Sequence, residues 1–349
     1  MDMHEKEWRD LIEMIKSLVF ITALTVIICF SLTHKNGEGG GDRENNIFLK
    51  GLCAILIMLH HAVSIFGTTY LWFFKFTGYI TTAIFFGLSG YGLTVQLQQD
   101  KYRDIRLFQK KRLKTILIPF TLACVIYLFV YKSLGIDIDF KSWLVVGQPI
   151  HQNFWYIIAL FYLYEVFAIV YLKYKKRNSG IIWIGISLIL YIVLILLAGY
   201  GSHWYNSAFA FIVGIFWGLH PNIKAKVWHI LSTLVAFGTS FLLKIIGDYI
   251  GYQIISVVFA CISSVCFFSF IYLLFSKLQC RKNKLSRICL FMGKISYELY
   301  LYHGIVFLCV QKNMDLVNND YKTAIAFGVT LLIASVMNRI DLFLLGSKV

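Results

Sequence analysis

The chain has 349 residues, 58% of them hydrophobic and 15% charged, and its mean hydropathy of +0.70 lies far outside the soluble globular range. A formal net charge of +15 would suit a nucleic-acid partner, but the cations alternate loop by loop between long apolar stretches, which points to a polytopic membrane protein with no nucleic-acid partner. Eight cysteines without a C-x-x-C pair make no disulfide framework, and the lack of a P-loop or H-E-x-x-H string removes support for nucleotide hydrolysis and for a catalytic metal.

Apolar windows near the ~20 residues that a bilayer demands predict an all-α, polytopic membrane helix bundle. The eleven expected spans lie near residues 15–33, 47–66, 72–97, 115–133, 154–172, 181–199, 203–219, 227–246, 250–276, 289–311 and 322–345. Short connections at 67–71, 199–203 and 247–251 predict tight antiparallel hairpins. The first span does not read as a signal peptide, because MDMHEKEWRD is more acidic than basic and no small-residue cleavage site follows the apolar run. Residues 1–46 therefore read as an accessory transmembrane helix with a Gly-rich linker (Gly37–Asp42), ahead of a ten-helix core over 47–349.

Loops 98–114, 173–180, 220–226 and 277–287 hold eighteen Lys and Arg, whereas the intervening loops hold three. The positive-inside rule makes the first set cytoplasmic, with the C-terminus inside, the N-terminus outside, and the cell (plasma) membrane as the expected location.

The second span, IFLKGLCAILIMLHHAVSIFG (Ile47–Gly67), carries a lysine near one end and two adjacent histidines deep inside. An anchoring helix has no use for them, and ionisable groups inside a membrane are costly unless they serve a reaction or transport path. Residues eleven apart on an α-helix differ by about 20° in azimuth and ~16 Å in height, so Lys50 and His61 share a face and His60 points about 100° away. A cation near the cytoplasmic surface with a titratable imidazole below it suits a long anionic molecule threaded end-on.

Six strings then carry a resemblance: LKGLCAILIMLHH, IFFGLSGYGLT (Ile84–Thr94), FQKKRLKTILIPF (Phe108–Phe120), NFWYIIALFYLYE (Asn153–Glu165), WYNSAFAFIVGIFWG (Trp204–Gly218) and GKISYELYLYHGIVF (Gly293–Phe307). In order and spacing, over residues 47–345, the chain resembles the acyltransferase family 3 membrane proteins. The resemblance implies a ten-helix enzyme that takes an acyl group, usually acetyl, from cytoplasmic acyl-CoA to a hydroxyl of a cell-surface or lipid-linked glycan. It places Lys50 where the family has an arginine and His61 where it has an essential histidine. Lysine keeps the charge and loses the bidentate fork. It also turns the basic run, with Lys110, Lys111, Arg112 and Lys114, toward the coenzyme phosphates. The family writes that run with arginines and a closer proline, whereas here lysines dominate and Pro119 stands further along.

Other polar residues have weaker readings. Glu165, deep in its span, is expected to pair with a Lys, a His or a tyrosine hydroxyl and to orient a catalytic group. Ser296, Tyr300 and His303 share a face at i, i+4 and i+7, with Tyr297 and Glu298 flanking them, a stripe that serves bundle hydrogen bonding or an acceptor path equally well. Ser89, Gly90 and Gly92 permit close helix approach, and packing accounts for them as well as a substrate role does. PIHQNFWY (Pro149–Tyr156) gathers Asn153 and Trp155 at the external surface, where aromatic faces suit sugar rings and aromatic belts are also ordinary. Of these, Glu165, Tyr300 and His303 join His61 as the catalytic candidates, and Ser89, Asn153, Trp155 and Tyr297, with His60 as a neighbour bonded to an adjacent helix, are the candidate substrate-binding residues.

The expected chemistry uses neutral His61 as general base, or as a transient acyl carrier, with a tyrosine or serine hydroxyl bonding the oxyanion. Acetyl-CoA is the expected donor. The partners are membrane lipid and a glycan acceptor, with self-association or a glycan-synthesis partner left open. A glycan export component and a proton-coupled transporter are the competing classes, although only three prolines are available to interrupt helices.

Overall fold

The computed structural model describes residues 3–35, 42–99, 104–138, 151–175, 179–221, 223, 225–281 and 283–346. Among them the chain is an all-α bundle of α1 (Met3–Ser31), α2 (Asp42–Phe66), α3 (Gly78–Gln98), α4 (Ile105–Ser133), α5 (Trp155–Phe167), α6 (Gly180–Leu197), α7 (Phe209–Leu219), α8 (Val227–Tyr249), α9 (Gln253–Phe275), α10 (Lys284–Lys294), α11 (Ser296–Asn313) and α12 (Asn319–Leu344). Nine segments among the described residues are long and apolar enough to cross a bilayer, so the chain is a multi-pass integral membrane protein. Most of the linker Gly37–Asp42 and residues 139–150 lie outside the described residues.

Four spans differ from the sequence expectation. The span near 72–97 is a 3-10 helix, Thr69–Phe76, followed by α3 from Gly78. The Phe74 carbonyl accepts from the Thr77 amide at 3.1 Å and from its hydroxyl at 2.8 Å, and this local side-chain bond competes with an unbroken α-helical ladder. Helix α4 begins at Ile105, ten residues before the expected 115, because Asp104 caps it by accepting from the Arg106 amide at 3.2 Å and lysine and arginine are good helix formers. The span at 203–219 contracts to the eleven residues of α7, preceded by a 3-10 turn, Ser202–Trp204. The span at 289–311 is broken at Ile295 into α10 and α11. Helix α10 buries Ser286, Cys289, Met292 and Gly293 along one stripe while Lys284, Arg287 and Lys294 lie on the rest of its surface, the pattern of an interfacial helix.

The chain divides into two compact units, Met1–Thr81 with Phe275–Asn338, and Thr82–Leu274 with Arg339–Val349. In the first, α2 crosses α10 at backbone contact. A Cβ on Gly51 would overlap the Cys289 carbonyl and one on Gly293 would overlap the Ile47 carbonyl, so glycine at both positions sets the spacing. Buried Asn45 stitches the same end, donating to the Phe275 and Leu278 carbonyls at 3.3 and 2.9 Å and accepting from the Cys280 amide at 3.1 Å. Helix α1 is tied at both ends. Past its C-terminus, strand Leu32–His34 pairs antiparallel with Leu278–Cys280, with Thr33 opposite Gln279. Toward its N-terminus, Glu13 accepts from the Thr69 hydroxyl, and Lys16 approaches Asp320 at 4.0 Å. The 277–287 loop is therefore at one end of α1 and the 67–71 and 312–321 loops at the other, the grouping that the charge alternation requires.

In the second unit, a Cβ on Gly90 would overlap the Phe211 carbonyl and one on Gly214 the Gly87 carbonyl, which brings α3 and α7 to backbone contact. Packing thus accounts for Gly90, whereas Gly92 has open space.

Candidate active site

The site is built on α2, whose apolar run forms a helix through both histidines with its buried face against α10 and α11. His61 is half-buried, and its ring stands 4.9 Å from that of His303 on α11, at 37°. His303 is fully buried. Its Nδ1 donates to the Leu299 carbonyl one turn back, at 3.1 Å. A carbonyl only accepts, so the neutral ring carries its proton on Nδ1 and offers Nε2 as an acceptor. The Tyr300 ring lies 5.9 Å from His303, and Phe307 stands at 90° to it, 5.9 Å away. Phe307 in turn packs on Phe66 at 5.3 Å, closing the end of the site beyond the imidazoles with apolar rings.

His60 faces the other way. Its Nδ1 donates to the Phe74 carbonyl at 3.2 Å, and its Nε2 lies 2.7 Å from where a Cβ on Gly78 would stand, so only a glycine leaves room for the ring. The two neighbouring imidazoles meet edge-on at 4.9 Å and 72°. Lys50 is half-buried on the same unbroken helix, eleven residues before His61. The first unit thus brings together His60, His61, Tyr300 and His303, with Lys50 further down α2 and Tyr297 half-buried one turn before Tyr300.

Of the polar stripe on α11, Ser296 is spent locally, donating to the Gly293 carbonyl at 3.0 Å across the break. Buried Glu298, Oε1 of which accepts from Asn338 Nδ2 at 2.9 Å, ties α11 to α12. Asn338 carries no sequence signal of that role.

The remaining candidates lie in the second unit. Glu165 accepts from Gln109 Nε2 at 2.7 Å, a partner that is neither the Lys, the His nor the Tyr expected from the sequence. An amide suffices because it supplies a donor to the carboxylate without a second buried charge. The basic run is the first half of α4, not a loop. Arg112 turns inward and donates from Nη2 to Gln96 Oε1 at 2.7 Å, while Lys110, Lys111 and Lys114 are exposed. Ser89 is half-buried on α3.

Asn153 is buried, and Trp155 sits among rings, 5.6 Å from His203 and 6.5 Å from Trp204. His203, in the GYGSHWY turn, escaped the sequence reading because nothing about its spacing tied it to Trp155. Beside them, Tyr131 and His151 Nδ1 are hydrogen-bonded at 2.7 Å, with the Tyr127 ring 4.8 Å from the imidazole.

Among the described residues, no group of three or more His, Cys, Asp or Glu side chains is arranged to hold a metal ion. No curated protein and no solved structure matches the chain. The model of the acyltransferase 3 family, described as an acyltransferase domain, matches residues 47–339, which takes in α2 from Ile47 on with both histidines, the basic face of α4 and the whole of α11. The chain belongs to the acyltransferase 3 family.

Proposed function

We propose that this membrane acyltransferase moves an acyl group, acetyl in the simplest case, from cytoplasmic acyl-CoA to a hydroxyl of a cell-surface or lipid-linked glycan. The observation that carries the reading is the pair of imidazoles within the apolar bundle, His61 at 4.9 Å from His303, on a helix that also bears Lys50. The coenzyme enters from the cytoplasmic side and its phosphates meet Lys50. Its pantetheine arm runs up the helix face toward His61, about 16 Å away.

The His61 imidazole takes the proton of the acceptor hydroxyl as that oxygen attacks the thioester carbonyl carbon. The C–S bond then breaks and the departing sulfur takes the proton from the imidazolium. An acyl-histidine route uses the same residue as nucleophile: the imidazole nitrogen takes the acyl group as the C–S bond breaks and the coenzyme thiol leaves, and the acceptor hydroxyl then displaces the imidazole to form the ester. The His303 Nε2 holds the facing imidazole in orientation, and the Tyr300 hydroxyl supplies a donor for the oxyanion. In the second unit, Lys110, Lys111 and Lys114 are exposed cations of the kind that anionic groups select, with Arg112 held by Gln96. Trp155, His203 and Asn153 present the aromatic and amide groups that sugar rings use. The enzyme lies in the plasma membrane with its C-terminus inside.

Purified protein given radiolabelled acetyl-CoA and either lipid-linked or polymeric glycan tests the reading. Label transferred to glycan supports it, and coenzyme turnover without glycan labelling would assign a different acceptor. Neither turnover nor binding of the coenzyme, with the glycan still moved across the membrane, would favour an export role.

A further inference from the structure

Helix α1 lies outside the matched residues 47–339 and has the composition of a plain anchor, yet its contacts single out one face. Glu13, Ser17, Phe20, Ile21, Leu24 and Ile28 recur at helical spacing and are sheltered, whereas Leu18, Val19, Val26 and Ile27 between them are exposed. That face does not pack at random on the bundle. Ser17, itself buried, donates its hydroxyl proton to the Tyr70 carbonyl. The Phe20 ring stands edge-on to Tyr70 at 6.2 Å and 64°, and to Phe74 at 5.7 Å and 88°. Ile21 and Leu24 pack on the cluster of Leu59, Leu71 and Phe74. Apart from Leu59 on α2, all of these partners lie on the 3-10 segment Thr69–Phe76.

The same segment holds an active-site imidazole from its other side. The Phe74 carbonyl accepts from His60 Nδ1 at 3.2 Å, and the His60 ring meets His61 at 4.9 Å. A 3-10 segment is a poor scaffold by itself, since its hydrogen bonds are strained and runs beyond a few residues are uncommon. An eight-residue one at the site needs outside support. Helix α1 supplies it through Phe20 and Ser17, and the strand pairing of Leu32–His34 with Leu278–Cys280 fixes the far end of the helix.

We infer that α1 is a clamp that acts through His60 on the catalytic His61. Phe20 packs on Phe74 while Ser17 ties down Tyr70 one turn earlier in the same segment, Phe74 locks His60, and His60 holds the His61 ring in its working rotamer. Phe20, Ser17 and His60 are positioning residues, not catalytic ones. The inference rests on His61 as the reacting group, so its test has to separate the two.

The experiment is a double-substitution cycle in the full-length purified enzyme, reading kcat and coenzyme affinity separately. Phe20→Ala should lower kcat about tenfold, less than the loss from a full ångström of misplacement, and leave coenzyme binding within twofold of wild type. Phe20→Leu should recover most of the rate. In a His60→Ala background the Phe20→Ala substitution should change kcat by less than twofold, because the link it acts through is already cut. Ser17→Ala runs the same cycle with a smaller perturbation if Phe20→Ala does not fold. An undiminished kcat in Phe20→Ala, or an equal loss in the presence and absence of His60, would overturn the clamp. His61→Ala, measured alongside, reports on the base alone, since full transfer by that variant removes the base whatever the cycle shows.

Discussion

Gly51→Ala is a severe perturbation for the exchange of one hydrogen for a methyl group. The new methyl would overlap the Cys289 carbonyl and stand 2.8 Å from the Gly293 nitrogen, where ordinary contact begins near 3.4 Å. Both obstacles are backbone, so no side chain can swing aside, and with the Cβ overlapping the Cys289 oxygen α2 must move off α10 by about 1 Å or more. Overpacking of this kind costs about 1–3 kcal/mol. It also shifts the helix that carries Lys50 and His61, and a misplacement approaching 1 Å costs on the order of a hundredfold in rate. Gly92→Ala is the matched control, because a Cβ there meets nothing within 4 Å and replacing a helical glycine by alanine gains up to about 1 kcal/mol. Thermal unfolding of the detergent-purified variants, followed by acyl-transfer rates on those that remain folded, reads both effects. A Gly51→Ala enzyme as stable and as fast as wild type would refute the helix crossing as the element that places the site.

Three further predictions use other parts of the molecule. Coenzyme A titrated into the wild type, Lys50→Arg and Lys50→Glu should bind as well or better in the arginine variant and far more weakly in the glutamate variant, each lost phosphate contact costing about 1.5–3 kcal/mol; equal affinities would remove Lys50 from the donor site. A cysteine at exposed Leu316 should react with an impermeant maleimide in intact cells while one at exposed Lys284 should not, and the reverse pattern would invert the topology. Burial, with the nearby Glu44 carboxylate adding to it, pushes the Cys280 thiol up to about 12. Its thiolate is scarce below that pH, so alkylation of Cys280 in the purified protein should be slow at pH 8 and should still be accelerating with pH at 10, whereas a rate already level at pH 9 would contradict this.

The spans were legible because a bilayer imposes length and hydropathy on every crossing, the shared face of Lys50 and His61 because helical phase needs no tertiary information, and the class of enzyme because six strings in order and spacing carried a family resemblance. The breaks were not. Ile295 and Thr77 interrupt runs that are apolar on both sides, and what stops each helix is a competing side-chain bond or a change from lipid-facing to interfacial surface. Partners were the least legible of all. Nothing in the string announces that His303 will face His61 from a helix more than two hundred residues away, or that Glu165 will be satisfied by Gln109 instead of a cation. The role of α1 was hidden for a related reason. Its lipid-facing and inward-facing residues are both apolar, so the contact of Phe20 with Phe74 leaves no trace in the pattern.

The central claim is that the His61 imidazole handles the proton or the acyl group. Purified His61→Ala, confirmed as folded by an unchanged thermal midpoint and unchanged coenzyme binding, should transfer no label from radiolabelled acetyl-CoA to glycan under conditions in which the wild type does so and His60→Ala retains a reduced, measurable rate. Substantial transfer by His61→Ala would contradict the claim.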